Sequence, residues 1–230
     1  MELEINPIAA LAMMNEPLRR RIYDHAVAVE QGVSREGAAA ALGVTRSVAA
    51  FHLDKLVGVG LLEVDYRRPA GRGGPGAGRP AKWYHRALGE VSASLPERRY
   101  DLAAALLASA VERAAHGDVE VGQVLSEIAR EYGRGIAAAF RPGDLGSSPL
   151  GEVGERLVQV LAEHGYEPRL RGSLITLVNC PFHALAKEHC EIICLMNHAL
   201  LCGVAEATGL PSSAARLDPG SGRCCVTLVA

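Results

Sequence analysis

Apolar residues recur three and four positions apart through the first sixty residues of the chain, the spacing of one face of an α-helix. Asn15, Ser34 and Thr45 are typical N-cap residues, and each precedes one of the helices that this spacing indicates. Gly43 and Val44 form a tight turn, and two short helices around such a turn predict a helix-turn-helix. The predicted helices cover residues 7–14, 16–29, 35–42 and 46–60.

The pattern changes to alternation after residue 60, which predicts β-strands over residues 61–68 and 82–87. Between them lies the stretch PAGRGGPGAGRPA, which is too rich in glycine and proline for regular structure. A strand, a basic glycine-rich loop and a second strand directly after a helix-turn-helix predict a winged helix. The alternative for this loop is a solvated linker.

Two parts of this N-terminal region are candidates for contact with DNA. The second helix of the pair is the expected recognition helix, with Val48, Phe51 and Leu56 at helical spacing. Its side chains expected to face a DNA groove are Thr45, Arg46, Ser47, Ala49, His52 and Lys55. Basic residues of the wing are expected to reach phosphates or the minor groove, namely Arg67, Arg68, Arg72, Arg79 and Lys82. His52 also has a simpler interpretation as an ordinary surface residue.

Helical spacing returns over residues 96–115 and 119–140, and a Gly/Pro/Ser-rich linker follows at 141–149. Beyond it the pattern predicts a helix at 150–164 and two strands at 166–171 and 173–179. A turn at Cys180 and Pro181 then leads into a cysteine-rich helix that stops at Gly209 or Pro211, and two last strands follow at 214–218 and 224–229. The fold class expected is therefore α+β. Its predicted parts are a winged helix-turn-helix at 1–92, a helical dimerisation region at 93–148 and a cysteine-rich α+β sensor domain at 149–230.

Charge changes this picture through its distribution, since the net charge is only −2. Six basic residues and no acidic one lie between Arg67 and Arg86, a local patch typical of a DNA-binding module. We see no signal peptide and no apolar run near the roughly 20 residues that span a bilayer, so a cytoplasmic protein without membrane contact is expected. Six cysteines in such a protein favour metal binding or redox chemistry over disulfides.

The cysteines are concentrated in residues 179–202, which hold four of the six. Cys190, Cys194, His198 and Cys202 follow one another in steps of four, so on a helix they form a stripe of which a small metal site would use adjacent members. The chain has no CxxC pair of the kind typical of zinc sites. A turn, a helix and a strand could instead bring thiolates together around a larger cofactor. Buried cysteines acting as small apolar residues are the alternative.

At these residues the chain resembles a known family. TRSVAAFHLDKLVGVGLLEVDYRR and GRPAKWYHRA resemble ArsR/DeoR-type winged-helix regulators, and CPFHALA followed by GRCCV resembles the SufR-like branch of iron–sulfur sensors. The resemblance implies a homodimeric repressor of iron–sulfur assembly genes that binds a palindromic operator in double-stranded DNA. It also implies an iron–sulfur cluster, 4Fe–4S rather than 2Fe–2S, bound by Cys180, Cys194 and one of Cys224 and Cys225.

The choice of ligands stays open at two points. Neighbouring strand residues point to opposite faces, so Cys224 and Cys225 are not both expected to be ligands and one of them is expected in the core. Of the two, Cys224 is favoured as the ligand. Cys190 departs from the family pattern, so the fourth ligand is Cys190, His183, another side chain or an exogenous group. Cys202 and His198 are expected to be structural.

Two other functions are weighed against this one. The thiols of a winged-helix regulator could respond to zinc, or to oxidation with no metal at all. A thiol-dependent enzyme is the third alternative, with Cys180 and His183 as the only nearby pair of nucleophile and base. No acidic residue is placed to orient that histidine, so we expect that the protein is not an enzyme.

Overall fold

A computed structural model of the chain describes residues 6–67, 80–117, 119–139, 149–220 and 222–230, of which the side chains of residues 149–152 are excluded. The chain divides into two compact units, Met1–Ala93 and Ser94–Ala230. Each unit has its own cluster of buried apolar side chains.

The first unit contains four helices and three short strands within its described residues. In chain order these are α1 (Pro7–Met13), α2 (Pro17–Ala28), β1 (Val33–Ser34), α3 (Arg35–Leu42), α4 (Arg46–Gly58), β2 (Leu62–Arg67) and β3 (Ala81–Arg86). The strands form an antiparallel sheet in the order β1-β3-β2, in which Val64 lies opposite Tyr84.

Capping residues explain where the helices of this unit begin and end. The Ser34 hydroxyl accepts a hydrogen bond from the Gly37 amide, and the Thr45 hydroxyl accepts one from Val48. Gly43 ends α3 at φ 68°, a left-handed conformation that glycine adopts without strain. The helix-turn-helix and the following hairpin are thus confirmed, while residues 68–79, where the wing tip was predicted, lie outside the described residues.

The second unit combines helices with a four-stranded antiparallel sheet in the order β4-β5-β7-β6. Its elements are α5 (Tyr100–Ala115), α6 (Val121–Ala139), α7 (Pro149–Glu163), β4 (Pro168–Arg171), β5 (Leu174–Leu177), α8 (His183–Glu188), α9 (Cys190–Ala207), a 3₁₀ turn (Ser212–Ala214), β6 (Ala215–Leu217) and β7 (Val226–Val229). The α+β class predicted from the sequence is confirmed.

Helices α6 and α9 cross at backbone contact distance. A Cβ atom at Gly133 would lie 2.0 Å from the carbonyl oxygen of Leu200, and one at Gly203 would lie 2.0 Å from that of Arg130. Only glycine fits at such a crossing. Because of it, α5 and α6 share one core with residues 149–230, so the structure does not separate residues 93–148 as a region of their own.

Three local predictions differ from the structure. The cysteine-rich segment is two helices, because the chain turns at His189 between α8 and α9. Cys224 and Cys225 precede β7 rather than lying in it, so strand alternation does not govern their side chains. The helix predicted from residue 96 starts at Tyr100.

Helix α9 is more apolar than expected, since the sequence analysis found no apolar run of nearly membrane-spanning length. Among the described helices it alone has the length and composition that could cross a membrane, over Cys190–Ala207. More than half of that stretch is buried inside the unit, as expected of a core helix.

Candidate functional site

The outward face of α4 is the first candidate site. Two of the side chains predicted to lie on this face, those of Ala49 and His52, point into the core instead. Ala49 is fully buried and His52 is 9% exposed, because both lie on the face that carries Leu53 and Leu56 into the core. His52 Nδ1 lies 3.4 Å from the Glu16 carboxylate. The prediction that Ala49 and His52 face a DNA groove is therefore wrong.

Other predicted residues of α4 do lie outside. Thr45, Arg46, Ser47 and Lys55 are exposed. Arg46 is hydrogen-bonded to Glu36 of α3, and Lys55 Nζ lies 5.8 Å from the centre of the Phe51 ring. Phe51, which sequence reasoning did not assign to this surface, is 55% exposed and lies on it.

A polar cluster attaches α4 to the rest of the unit. The Asp54 carboxylate accepts hydrogen bonds from Arg35 at 2.5 Å, from Lys82 at 3.1 Å and from the Tyr84 hydroxyl at 2.8 Å. Burial alone would raise the pKa of Asp54, but these hydrogen bonds and charges outweigh it and hold that pKa below its ordinary value. Lys82, expected to reach phosphate, is engaged here instead.

The same carboxylate affects Tyr84, whose ring is fully buried. Burial and the hydrogen bond to Asp54 raise the pKa of Tyr84 to about 12. Since Arg35 lies on α3, Asp54 on α4 and Tyr84 on β3, the cluster fixes the position of α4 against both its partner helix and the hairpin.

Arg67 on β2 is, with Lys82, one of two described residues of the predicted phosphate-binding set. Arg67 donates a hydrogen bond to the Gln31 carbonyl at 2.6 Å, pairs with Asp65 at 3.1 Å and lies over the Trp83 ring. Arg67 is thus held by contacts within the unit. Arg68, Arg72 and Arg79 lie outside the described residues.

Five cysteines of the second unit form the other candidate site, here called the thiol row. They follow one another in the order Cys180, Cys224, Cys225, Cys194 and Cys190. The Sγ atoms of Cys190 and Cys194 are 3.7 Å apart, and the other neighbours in this order are near enough to shift one another's pKa. They come from the turn before α8, from the first turns of α9 and from the irregular segment before β7. The sequence predicted this convergence of separate elements, but it did not predict that Cys224 and Cys225 would both join.

Exposure changes along the thiol row. Cys224 is 1% exposed, Cys225 and Cys194 are half-buried, and Cys190 at the start of α9 is exposed. The Sγ atoms of Cys190 and Cys194 are 3.7 Å apart. One end of the row is therefore accessible from outside, while the other is sealed in the core.

Buried polar side chains support the inner end of the row. Asn197 donates a hydrogen bond from Nδ2 to Cys224 Sγ at 3.1 Å and accepts one from the Tyr166 hydroxyl at 2.6 Å. Burial raises the pKa of Tyr166 well above its ordinary value, and the thiols add to this effect. Tyr166 therefore remains a neutral donor and keeps Asn197 oriented toward sulfur.

Interactions within the row lower the pKa of Cys180 and raise those of its neighbours. The pKa of Cys180 is lowered chiefly because its sulfur accepts a hydrogen bond from Cys224, and the same bond raises the pKa of Cys224 to about 12. Burial raises the pKa of Cys194, and the hydrogen bond with Cys224 raises that of Cys225. Cys180 is the thiol best suited to act as a thiolate.

The turn that carries Cys180 is tied to the segment through which the chain enters this unit. Arg98 Nη1 donates to the Cys180 carbonyl at 2.9 Å and also to Asn179 Oδ1. The side-chain Nδ2 of Asn179 in turn donates to the backbone carbonyls of Glu97 at 3.0 Å and Gly165 at 2.6 Å. The Arg99 amide donates to the Pro181 carbonyl at 3.1 Å.

The remaining candidates lie apart from the row. His198 Nε2 is 3.1 Å from the Ala215 carbonyl, and Cys202 is buried beside His198 and the Ser212 carbonyl. Both therefore pack against the segment leading into β6. His183 is exposed, and its backbone amide donates to the Cys180 carbonyl.

Within the described parts of the chain, no group of three or more His, Cys, Asp or Glu side chains is arranged so that it could hold a metal ion. The thiols instead follow one another in a row. Ligands of a tetrahedral zinc ion with Zn–S bonds of about 2.3 Å would be about 3.8 Å apart, and the Cys190–Cys194 separation fits one such edge.

Comparison with known proteins adds one assignment. Residues 13–65, which cover α2 to most of β2, match the profile of a family described as a helix-turn-helix domain. No curated protein and no solved structure matches the chain. The match and the fold of the first unit define a DNA-binding transcription regulator with a helix-turn-helix domain.

Proposed function

We propose that this regulator is a homodimeric repressor whose affinity for a palindromic operator is controlled by an iron–sulfur cluster bound at the thiol row. The observation that carries the proposal is the row itself, in which five thiols from three separate segments meet. Thiolates are the ligands that hold iron–sulfur clusters, and a 4Fe–4S cluster takes four of them.

The donor set fits a cluster in its chemistry. Cys180 and Cys194 come from different segments, as they would in a site that links parts of a fold. The contact between Cys225 and Cys194 supports Cys225 as strongly as Cys224 for the third ligand, and exposed Cys190 is available as the fourth. The cluster would supply an oxygen-sensitive link between these segments.

The described contacts suggest how the state of the row reaches the DNA-binding unit. Arg98 and Asn179 join the Cys180 turn to residues 97–99, directly after the boundary between the units. A change at Cys180 would shift this segment and thus the populations of forms that do and do not dock both halves of a two-fold operator. Genes of iron–sulfur assembly are the proposed targets, from the resemblance of the CPFHALA and GRCCV segments.

Metal analysis of protein purified without oxygen tests the cofactor. Iron and acid-labile sulfide in similar amounts are expected, and Cys194→Ser is expected to lose both. Cys202→Ser is the matched control, because Cys202 is also on α9 but outside the row. Zinc, or no metal at all, in the wild-type protein would contradict the cluster.

A second candidate keeps DNA binding and replaces the cluster by zinc or by thiol oxidation. The Cys190–Cys194 pair favours it, since the sulfurs are 3.7 Å apart at the exposed end. Zinc in stoichiometric amount, or a Cys190–Cys194 disulfide formed in air with a matching change in DNA affinity, would support this candidate.

A further inference from the structure

The centre of the outward face of α4 is apolar. Ser47 and Phe51 lie one turn apart on this face, and half-buried Ala50 lies beside them. The Phe51 ring is 55% exposed although the core of the same unit is well packed. Helix α4 is described throughout, so this face is complete.

Side chains that recognise a base through two hydrogen bonds at once are scarce on this helix. It contains no Asn or Gln, the residues that pair with adenine. Arg46, which could pair with guanine, is hydrogen-bonded to Glu36, and Asp54 is occupied by Arg35, Lys82 and Tyr84. The large apolar side chain at the centre of the face is Phe51, and its exposed polar neighbours are Ser47 and Lys55.

We propose that Phe51, with Ala50 beside it, contacts the C5-methyl groups of thymines in the major groove and selects T·A pairs through them. The inference rests on the proposed DNA binding through α4. Thymine carries the only methyl group on the major-groove edges of the four base pairs, and alanine and phenylalanine are side chains that contact it. Cytosine presents a hydrogen at the same ring position, so Phe51 would distinguish the two pyrimidines.

The charges around Phe51 fit a nucleic-acid partner. Lys55 Nζ lies 5.8 Å from the ring centre, and Thr45 and Ser47 place hydroxyl groups at the start of the helix. A lysine beside the ring can contact phosphate, which adds affinity but carries no sequence information. Phe51 and Lys55 therefore have separable effects, one on sequence preference and the other on affinity alone.

The experiment starts with a binding-site selection from random DNA duplexes, using the full chain purified without oxygen and again after exposure to air. Recovered sites are resynthesised with deoxyuridine in place of thymidine, which removes the methyl and nothing else. We expect binding to weaken about fourfold per contacted thymine, equivalent to about 0.8 kcal/mol per methyl group. Replacing a contacted thymine by cytosine should also weaken binding, and 5-methylcytosine at that position is expected to recover part of the lost affinity.

Two variants assign the effect to a residue. Phe51→Ala is expected to bind thymidine-containing sites more weakly and to lose the distinction between thymidine and deoxyuridine. Lys55→Ala is expected to weaken binding to both duplexes equally, so the ratio of the two affinities stays that of the wild type.

Two results would overturn the inference. One is a wild-type protein that binds both duplexes equally, and the other is a Phe51→Ala protein that keeps the wild-type ratio. If that variant also has an altered oligomeric state by light scattering, Phe51 covers a second copy of the chain instead. Failure to enrich any site would instead contradict DNA binding itself, and this inference with it.

Discussion

The Arg98 side chain donates a hydrogen bond to the carbonyl oxygen of Cys180 over 2.9 Å, between residues 82 positions apart in the chain. The same guanidinium nitrogen also reaches Asn179, whose side chain is 7% exposed. A buried amide left without one of its partners costs about 1–3 kcal/mol. Arg98 therefore orients the Cys180 turn from the entry segment of the second unit.

We predict that Arg98→Ala lowers the free energy of unfolding of the second unit by about 2 kcal/mol, because Asn179 Oδ1 loses its donor. If the cluster is bound as proposed, the variant should also lose iron to a chelator about tenfold faster, the usual effect of removing a group that orients a ligand. Chemical denaturation and a timed chelator challenge measure the two effects.

Arg99→Ala is the matched control for Arg98. Its side chain lies 3.8 Å from Glu97 and 3.9 Å from Asp101, while its backbone amide keeps the hydrogen bond to Pro181. We expect near wild-type stability and iron loss. Equal behaviour of the two variants would show that the Arg98 side chain has no particular role.

The α6–α9 crossing gives a second prediction. Gly203→Ala should destabilise the second unit by about 3 kcal/mol or more, because its Cβ would lie 2.0 Å from the Arg130 carbonyl and backbone must move. Gly135→Ala, on the exposed side of α6 with nothing within 4 Å, should instead stabilise by about 0.5–1 kcal/mol. Thermal unfolding of the two variants should therefore shift in opposite directions, and a tolerated Gly203→Ala would contradict the crossing.

How far the sequence predicted this molecule depends on whether the signal is local. Ser34 and Thr45 mark helix starts through hydrogen bonds to amides three residues on, so the helices of the first unit were predictable. The orientation of α4 was not, because alanine fits either a core or a surface, and helical spacing does not show by itself whether Phe51 lies inside or outside. Ala49 is buried and Phe51 exposed for reasons that lie in the packing of neighbouring helices.

The second unit shows the same limit. Three cysteine-bearing segments were predicted to converge, and they do. Cys225 joins the thiol row because the backbone before β7 is irregular. Hydrogen bonds from the Asp218 amide to the Cys225 carbonyl and from the Cys224 amide to the Leu177 carbonyl fix this backbone. The contacts of Arg98 and Asn179 join distant segments, and no local pattern indicates them.

A third prediction concerns the pair behind the thiol row. Tyr166→Phe should destabilise the second unit by about 1–3 kcal/mol, because it leaves Asn197 Oδ1 buried without its donor. Replacing both residues, as in Tyr166→Phe with Asn197→Leu, should cost less than the two single changes added together. Additive losses in a double-mutant cycle would mean that the 2.6 Å hydrogen bond contributes nothing.

The Asp54 cluster predicts a dependence of stability on pH. The folded-state pKa of Asp54 is lowered, so its stabilising effect is present above the unfolded value of about 4 and is lost as the pH falls through the folded value. Asp54→Asn should lower stability at pH 7 by about 1 kcal/mol, and the difference from wild type should shrink below about pH 4. Denaturation of both proteins at pH 7, 5 and 3 measures this, and a difference independent of pH would exclude the carboxylate charge as its cause.

The most direct test of the account measures cofactor and DNA affinity on one sample. Protein purified without oxygen is assayed for iron, for acid-labile sulfide and for binding to a selected duplex, and again after the cofactor has been removed by air and chelator. We predict that affinity falls about tenfold or more as iron and sulfide are lost, a change of about 1.4 kcal/mol. Unchanged affinity after complete loss of iron and sulfide would contradict control of DNA binding by a cluster at the thiol row.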